Sequence, residues 1–156
     1  MSKRFEYNAT IVWTGNSGSG TDNYVNYERS HIIKIDNKVD ILGSSDTAFR
    51  GDRAKHNPEE LLISSLSACH MLWYLHLCSE AGVVVTHYTD HANGVMEVAS
   101  NGGGRFTEVT LHPSVTVDQQ SMVSKAIELH KKANELCFIA NSVNFPVKHE
   151  PTIEVN

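Results

Sequence analysis

A chain of 156 residues and 17.3 kDa is long enough for one domain with a true core and short for two. Its hydrophobic share of 40% is globular, and 13 Lys+Arg against 18 Asp+Glu give a net charge of −5, with no basic footprint for nucleic acid or anionic lipid. No apolar run approaches the ~20 residues of a membrane span. The basic start, Lys3-Arg4, has no apolar segment behind it as a secretory signal would. Three cysteines are too few for a disulfide framework. A single cytoplasmic domain, 1–156, with neither nucleic-acid nor membrane partners is expected.

Phe5, Tyr7, Ala9, Ile11 and Trp13 alternate with polar residues, which predicts a half-buried strand. Gly15 to Asp22 is a flexible turn, without the lysine and following helix of a phosphate-binding loop. A second alternating run, Tyr27 to Ile35, meets Val39 to Leu42 across a hairpin connection at Asp36-Asn37-Lys38. Ser44 to His56 is a polar loop carrying Arg50, Asp52, Arg53 and Lys55.

The strongest local signal follows. Asn57 is a good N-cap, Pro58 suits the first helical position, and Glu59 and Glu60 complement the helix dipole. The helix should reach Glu80 or Ala81 and stop at Gly82. It is apolar on most faces, which predicts burial on most faces. One small chain can hardly cover it, and a homodimer that sandwiches the helix is the simplest answer. Val83 to about Ser100 reads as a strand, Asn101 to Gly104 as a turn, and Arg105 to Val117 as a strand, with Pro113 at an edge or bulge. Ser121 to Leu136 carries the Met122, Ala126, Leu129, Ala133, Leu136 stripe of a second helix, with Cys137 at its end. Glu150 to Val155 is a last short strand, and the class is α+β.

Cys69 follows two small residues, Ser67 and Ala68, that leave room beside a sulfur, although a free Cys also packs like a small hydrophobe. Cys137, where a helix gives way to a loop, should be the more accessible thiol. The two can meet only if their helices pack together. A reactive cysteine needs a lowered pKa, a neighbouring cation and a second thiol to trap its sulfenic acid. Arg50, Arg53 and Arg29 are the candidate cations. Glu59 is either an orienting carboxylate or only a favourable charge at a helix start. In a continuous helix about 15 Å of rise would separate it from Cys69.

Metal chemistry is not expected, because His70, His76 and Cys78 lack ligand spacing. His87, His91, His112, His130 and His149 read as surface or packing residues, and Cys78 as core. No Gly-x-Ser-x-Gly elbow supports a serine hydrolase. Trp73 and Tyr74 either line an apolar pocket or belong to the core.

Asn57-Pro58-Glu59-Glu60-Leu61-Leu62 followed by Ser67-Ala68-Cys69, with a second helix ending at Cys137, resembles the osmotically inducible protein C and organic hydroperoxide resistance (OsmC/Ohr) family over nearly the whole chain. The resemblance implies an OsmC-like fold, with antiparallel sheets wrapped around a long central helix and a second helix, in an intertwined homodimer. It implies a thiol-dependent peroxidase acting on organic hydroperoxides or hydrogen peroxide in oxidative or osmotic stress defence. In that reading Cys69 is the peroxidatic thiolate, Cys137 the resolving thiol, Glu59 the site carboxylate, and Arg50, ahead of Arg29 and Arg53, the stabilising cation. The reductant would be a dithiol such as a lipoylated protein, with no bound cofactor. A non-catalytic small-molecule binder or redox sensor on the same fold is the alternative. His70, where relatives often carry Phe, and Phe138 after the second Cys, where Pro is common, set this chain apart within the family.

Overall fold

The structure, a computed structural model, describes residues 2–156. Its contacts divide the chain into two compact units, Met1–Leu61 and Leu62–Asn156.

The first unit holds a three-stranded antiparallel sheet, ordered β1 (Thr10–Trp13), β2 (His31–Lys34), β3 (Ile41–Gly43). Pairing of β1 with β2 ends at Thr10↔Lys34. The chain then turns at Asn37, a left-handed residue with φ 63°. Residues 5–9 have no strand opposite them, so the predicted strand is shortened to Thr10–Trp13, and Phe5 and Tyr7 are exposed. The polar loop is ordered by Asp46, whose side chain accepts from the Ala48 amide at 2.7 Å and caps a 3₁₀ turn at Thr47–Phe49. His56 returns beside β3, with the Ser44 amide donating to the His56 carbonyl at 2.9 Å.

Helix α1 runs from Pro58 to Glu80. Its start is a reciprocal cap: the Glu60 amide donates to Asn57 Oδ1 at 2.8 Å, and the Asn57 amide to Glu60 Oε2 at 3.3 Å. Its end is a Schellman turn, with Gly82 at φ 72° and the Val83 amide bonded to the Cys78 carbonyl at 2.9 Å. One expectation about this helix is corrected. It is long and apolar enough, by length and composition, to cross a membrane. In the single chain it is not buried all round. Leu66, His70, Tyr74 and Cys78 form one fully buried stripe, while Leu72 is exposed. That stripe packs on protein, as a core helix does.

The second unit contains β4 (Val85–Asp90), β5 (Asn93–Val98), β6 (Gly104–Leu111), β7 (Pro113–Val117), α2 (Val123–Leu136), β8 (Val147–His149) and β9 (Thr152–Val155). The sheets are ordered β4-β7-β9 and β5-β6-β8. They are mixed rather than purely antiparallel, because β8 runs parallel to β6 and β9 parallel to β7. The two long strands expected at Val83–Ser100 and Arg105–Val117 each break in the middle, at residues 91–92 and at His112, and pass from one sheet to the other. Strands β8 and β9 do the same across Glu150-Pro151. Pro113 is the buried first residue of the central strand β7, where its missing N–H falls at the bend rather than inside the ladder.

One core cluster joins Tyr74, Cys78 and Val83 to Val115 and Val117 and to Ala126 and Ala133 of α2. A second sets Leu66 against Val109 and Leu111. Helix α1 therefore crosses both sheets, with the residues around Cys69 lying between the two clusters.

Candidate active site

The bend fixes the turn of α1 that carries Cys69. Ser67 Oγ donates to Asp90 Oδ2 at 2.6 Å, and the His112 amide donates to Asp90 Oδ1 at 2.6 Å. His112 then joins Asn93 Oδ1 at 2.9 Å through Nε2 and Glu150 Oε2 at 3.4 Å through Nδ1. All three strand corners and the helix share this network.

Cys69 projects from α1 half-buried, and Cys137 follows the last residue of α2 with extended backbone, φ −63° and ψ 114°. Both are free thiols, and Cys69 is near enough to Cys137 to raise its thiol. The middle of α1 and the end of α2 make the thiols neighbours. Their exposure reverses the expectation: Cys137 is 1% exposed, because residues 138–142 fold back over the helix end. Asn141 Nδ2 donates to the Glu135 carbonyl at 3.0 Å, Ser142 Oγ to the Phe138 carbonyl at 2.7 Å, and the Ala140 amide to Cys137 Sγ at 3.4 Å. Burial, and then the hydrogen bond with Cys69, push the Cys137 thiol up to about 11, against the pull of the Ala140 and Ile139 amides. Cys137 is thus a protonated thiol at neutral pH. Trp73, one turn beyond Cys69, packs edge-on against the exposed Phe138 ring at 5.5 Å, while Tyr74 is core. Cys78 is core as read, its thiol raised by burial.

Glu59 and the arginines belong to the first unit. Glu59 is half-buried with Oε2 unpartnered. Helix α1 is unbroken from Pro58 past Cys69, so ten residues, about 15 Å of rise, separate the two along its axis. Arg50 is an exposed left-handed residue, φ 63°, closing the 3₁₀ turn. Arg29 and Arg50 line one cavity with Glu28, Ser30, Ser44 and Asp52. The Arg29 guanidinium is engaged there, donating to the Tyr24 and Tyr27 carbonyls and lying over both rings at 4.4 and 4.1 Å. Arg53, also exposed, lines a separate cavity with Lys55 and Glu60.

The sequence reading missed a buried histidine cluster. His70 Nε2 and His130 Nδ1 are 3.0 Å apart with rings 7° from parallel, and Tyr74 stacks on His130 at 3.8 Å. His149 lies 5.7 Å from His70. Burial first, then the neighbouring histidines, lower His70 to about 4 and His130 to about 3, with Asp90 pulling His70 the other way. Burial also lowers His149. The available signal was position: His70 falls on the Leu66–Tyr74–Cys78 stripe, and His130 stands between Ala126 and Ala133.

Two helices carrying adjoining thiols, set against paired mixed sheets, define the class. The chain belongs to the OsmC-like protein family, whose family model matches residues 51–152. It is similar to an OsmC-like protein of unknown function from Vibrio cholerae, at 33% identity and TM-score 0.85, covering 96% of this chain and 100% of that one. An organic hydroperoxide resistance protein from Elizabethkingia anophelis, solved with thiocyanate bound, shares the fold at 21% identity and TM-score 0.71, each chain covered in full. So does the organic hydroperoxide resistance protein OsmC from Legionella pneumophila, at 17% identity and TM-score 0.71, over 99% of this chain and 100% of that one. No curated protein matches the sequence.

Proposed function

We propose that this chain is a thiol-dependent hydroperoxide reductase of oxidative or osmotic stress defence. The observation that carries the reading is the proximity of a half-buried Cys69 to a buried Cys137 in a member of the OsmC-like family. The Cys69 thiolate attacks the distal peroxide oxygen, the O–O bond breaks, and the alkoxide or hydroxide leaves as alcohol or water after taking a proton. The resulting Cys69 sulfenic acid condenses with Cys137, forming the S–S bond and releasing water. An external dithiol, such as a lipoylated protein, reduces the disulfide, and no bound cofactor takes part.

Arg50 as the stabilising cation and Glu59 as the site carboxylate are the roles that the family resemblance implies. The unpartnered Glu59 Oε2 supports the role, since it is an acceptor still to be matched. Arg29 is the weaker choice because its guanidinium is already bound to two carbonyls and two rings. The working form is a homodimer in the cytoplasm.

Thiol counting before and after one equivalent of cumene hydroperoxide tests the proposal. Loss of two thiols per chain supports it. Unchanged thiols would favour a non-catalytic binder or sensor, with Trp73 and Phe138 as the apolar contact.

A further inference from the structure

We propose that His70 and His130 form a neutral imidazole clamp that holds the Cys137 sulfur within bonding reach of Cys69, making both histidines positioning residues for disulfide formation. The inference rests on the reading of Cys69 and Cys137 as a redox pair. His70 directly follows Cys69 on α1, and His130 lies seven residues before Cys137. Seven residues are about two helical turns, so the chain leaves α2 for Cys137 on the side of the helix that carries His130.

A second tie sits one turn away: Tyr74 Oη donates to the Ala126 carbonyl at 3.0 Å. The ties join 70 to 130 and 74 to 126, four residues on along α1 and four back along α2. Together they set both the sense and the register of the helix pair. A slip of one residue, about 1.5 Å, breaks both and parts the sulfurs.

An apolar pair would fill the same volume but fix no register, whereas a hydrogen bond between two rings accepts one alignment. The pair also carries a cost, because His70 Nδ1 and His130 Nε2 are buried without partners. Uncharged rings are needed, one donating and the other accepting. The groups facing the pair are Tyr74 from α1, His149 from β8 and Asp90 from β4, with Tyr88 of β4 behind Tyr74. The step served is the condensation in which the Cys69 S–O bond breaks, the S–S bond forms and the Cys137 proton leaves in water.

The test is the effective concentration of the Cys69–Cys137 pair in a reduced and oxidised glutathione buffer, measured on the full chain. The rate of loss of dimedone-reactive Cys69 after one equivalent of cumene hydroperoxide is followed in parallel. His70→Leu and His130→Leu are expected to lower the effective concentration about tenfold or more, and to slow disulfide closure relative to Cys69 oxidation in the same variant. His130→Asn, which sets Oδ1 where Nδ1 stood, and His70→Gln, which offers Nε2, are expected to restore much of both. A general packing role would not favour these polar replacements over leucine. Folded leucine variants with the parental effective concentration would overturn the clamp, as would equal values for Asn and Leu at position 130. If the leucine variants do not fold, His130→Asn against His130→Ala makes the same comparison. A parent whose Cys69 ignores peroxide would overturn the peroxidase reading, and the glutathione measurement would still judge the clamp.

Discussion

At the scale of single residues, the two cysteines differ in exposure, and the proposed mechanism divides its steps between them accordingly. The half-buried Cys69 can meet a substrate, while Cys137 waits under residues 138–142 as a protonated thiol. Cys69→Ser is therefore expected to abolish peroxide turnover. Cys137→Ser should consume one peroxide per chain and leave a sulfenic acid that dimedone traps, seen by intact mass. Full multiple turnover by the Cys69→Ser protein would end the mechanism. The histidines make a separate statement about pH. Above about 6.5 they are neutral whether the chain is folded or unfolded. As pH falls below that value the unfolded imidazoles take up protons that the folded ones refuse, so stability drops until the folded values, about 4 for His70 and about 3 for His130, are reached. For His70 alone the loss by pH 4 is about 3 kcal/mol. Urea midpoints should fall steadily from pH 7 to pH 4, and His130→Phe should flatten the slope.

At the scale of elements, the helices were legible and the strands only partly so. Asn57-Pro58-Glu59-Glu60 and Gly82 mark the ends of α1 through backbone chemistry that is local, and local chemistry is readable in a sequence. Asn57→Ala is expected to cost about 1 kcal/mol through the lost cap. Gly82→Ala should cost about as much through its left-handed backbone, and thermal melts of the two variants check both. Strand bends are set by partners far along the chain. Pro113 marks an irregularity beside His112, but the change of sheet is set by the Asp90, Asn93 and Glu150 side chains, which lie far along the chain. Strand β8 was missed because three residues, Val147–His149, are too short for a period, and their parallel partner β6 lies far upstream. The thiol pair was legible through the resemblance carried by the Asn57–Cys69 segment and the helix ending at Cys137, but not its exposure, since the cover over Cys137 comes from a 3₁₀ turn without a strong motif. The His70–His130 bond spans sixty residues and was legible only as two polar residues on two apolar faces.

At the scale of the molecule, each unit leaves apolar surface open in the single chain. Phe5, Tyr7 and Val39 of the first unit and Leu72 and Phe138 of the second are mostly exposed. Such surface fits the proposed homodimer, and light scattering after size exclusion is expected to give a mass near twice 17.3 kDa. A monomer persisting at micromolar concentration would remove the dimer from the proposal. The corner network has a wider effect. Because β4/β5, β6/β7 and β8/β9 all change sheets where Asp90, His112 and Glu150 meet, neither sheet of the second unit can peel away while the other stays whole. Thermal motion that opens this joint must release Ser67 as well, and with it the helical turn bearing the sulfur. Local breathing thereby reaches the segment around Cys69, and under the proposed mechanism a partly unravelled second unit would lose its peroxidase activity.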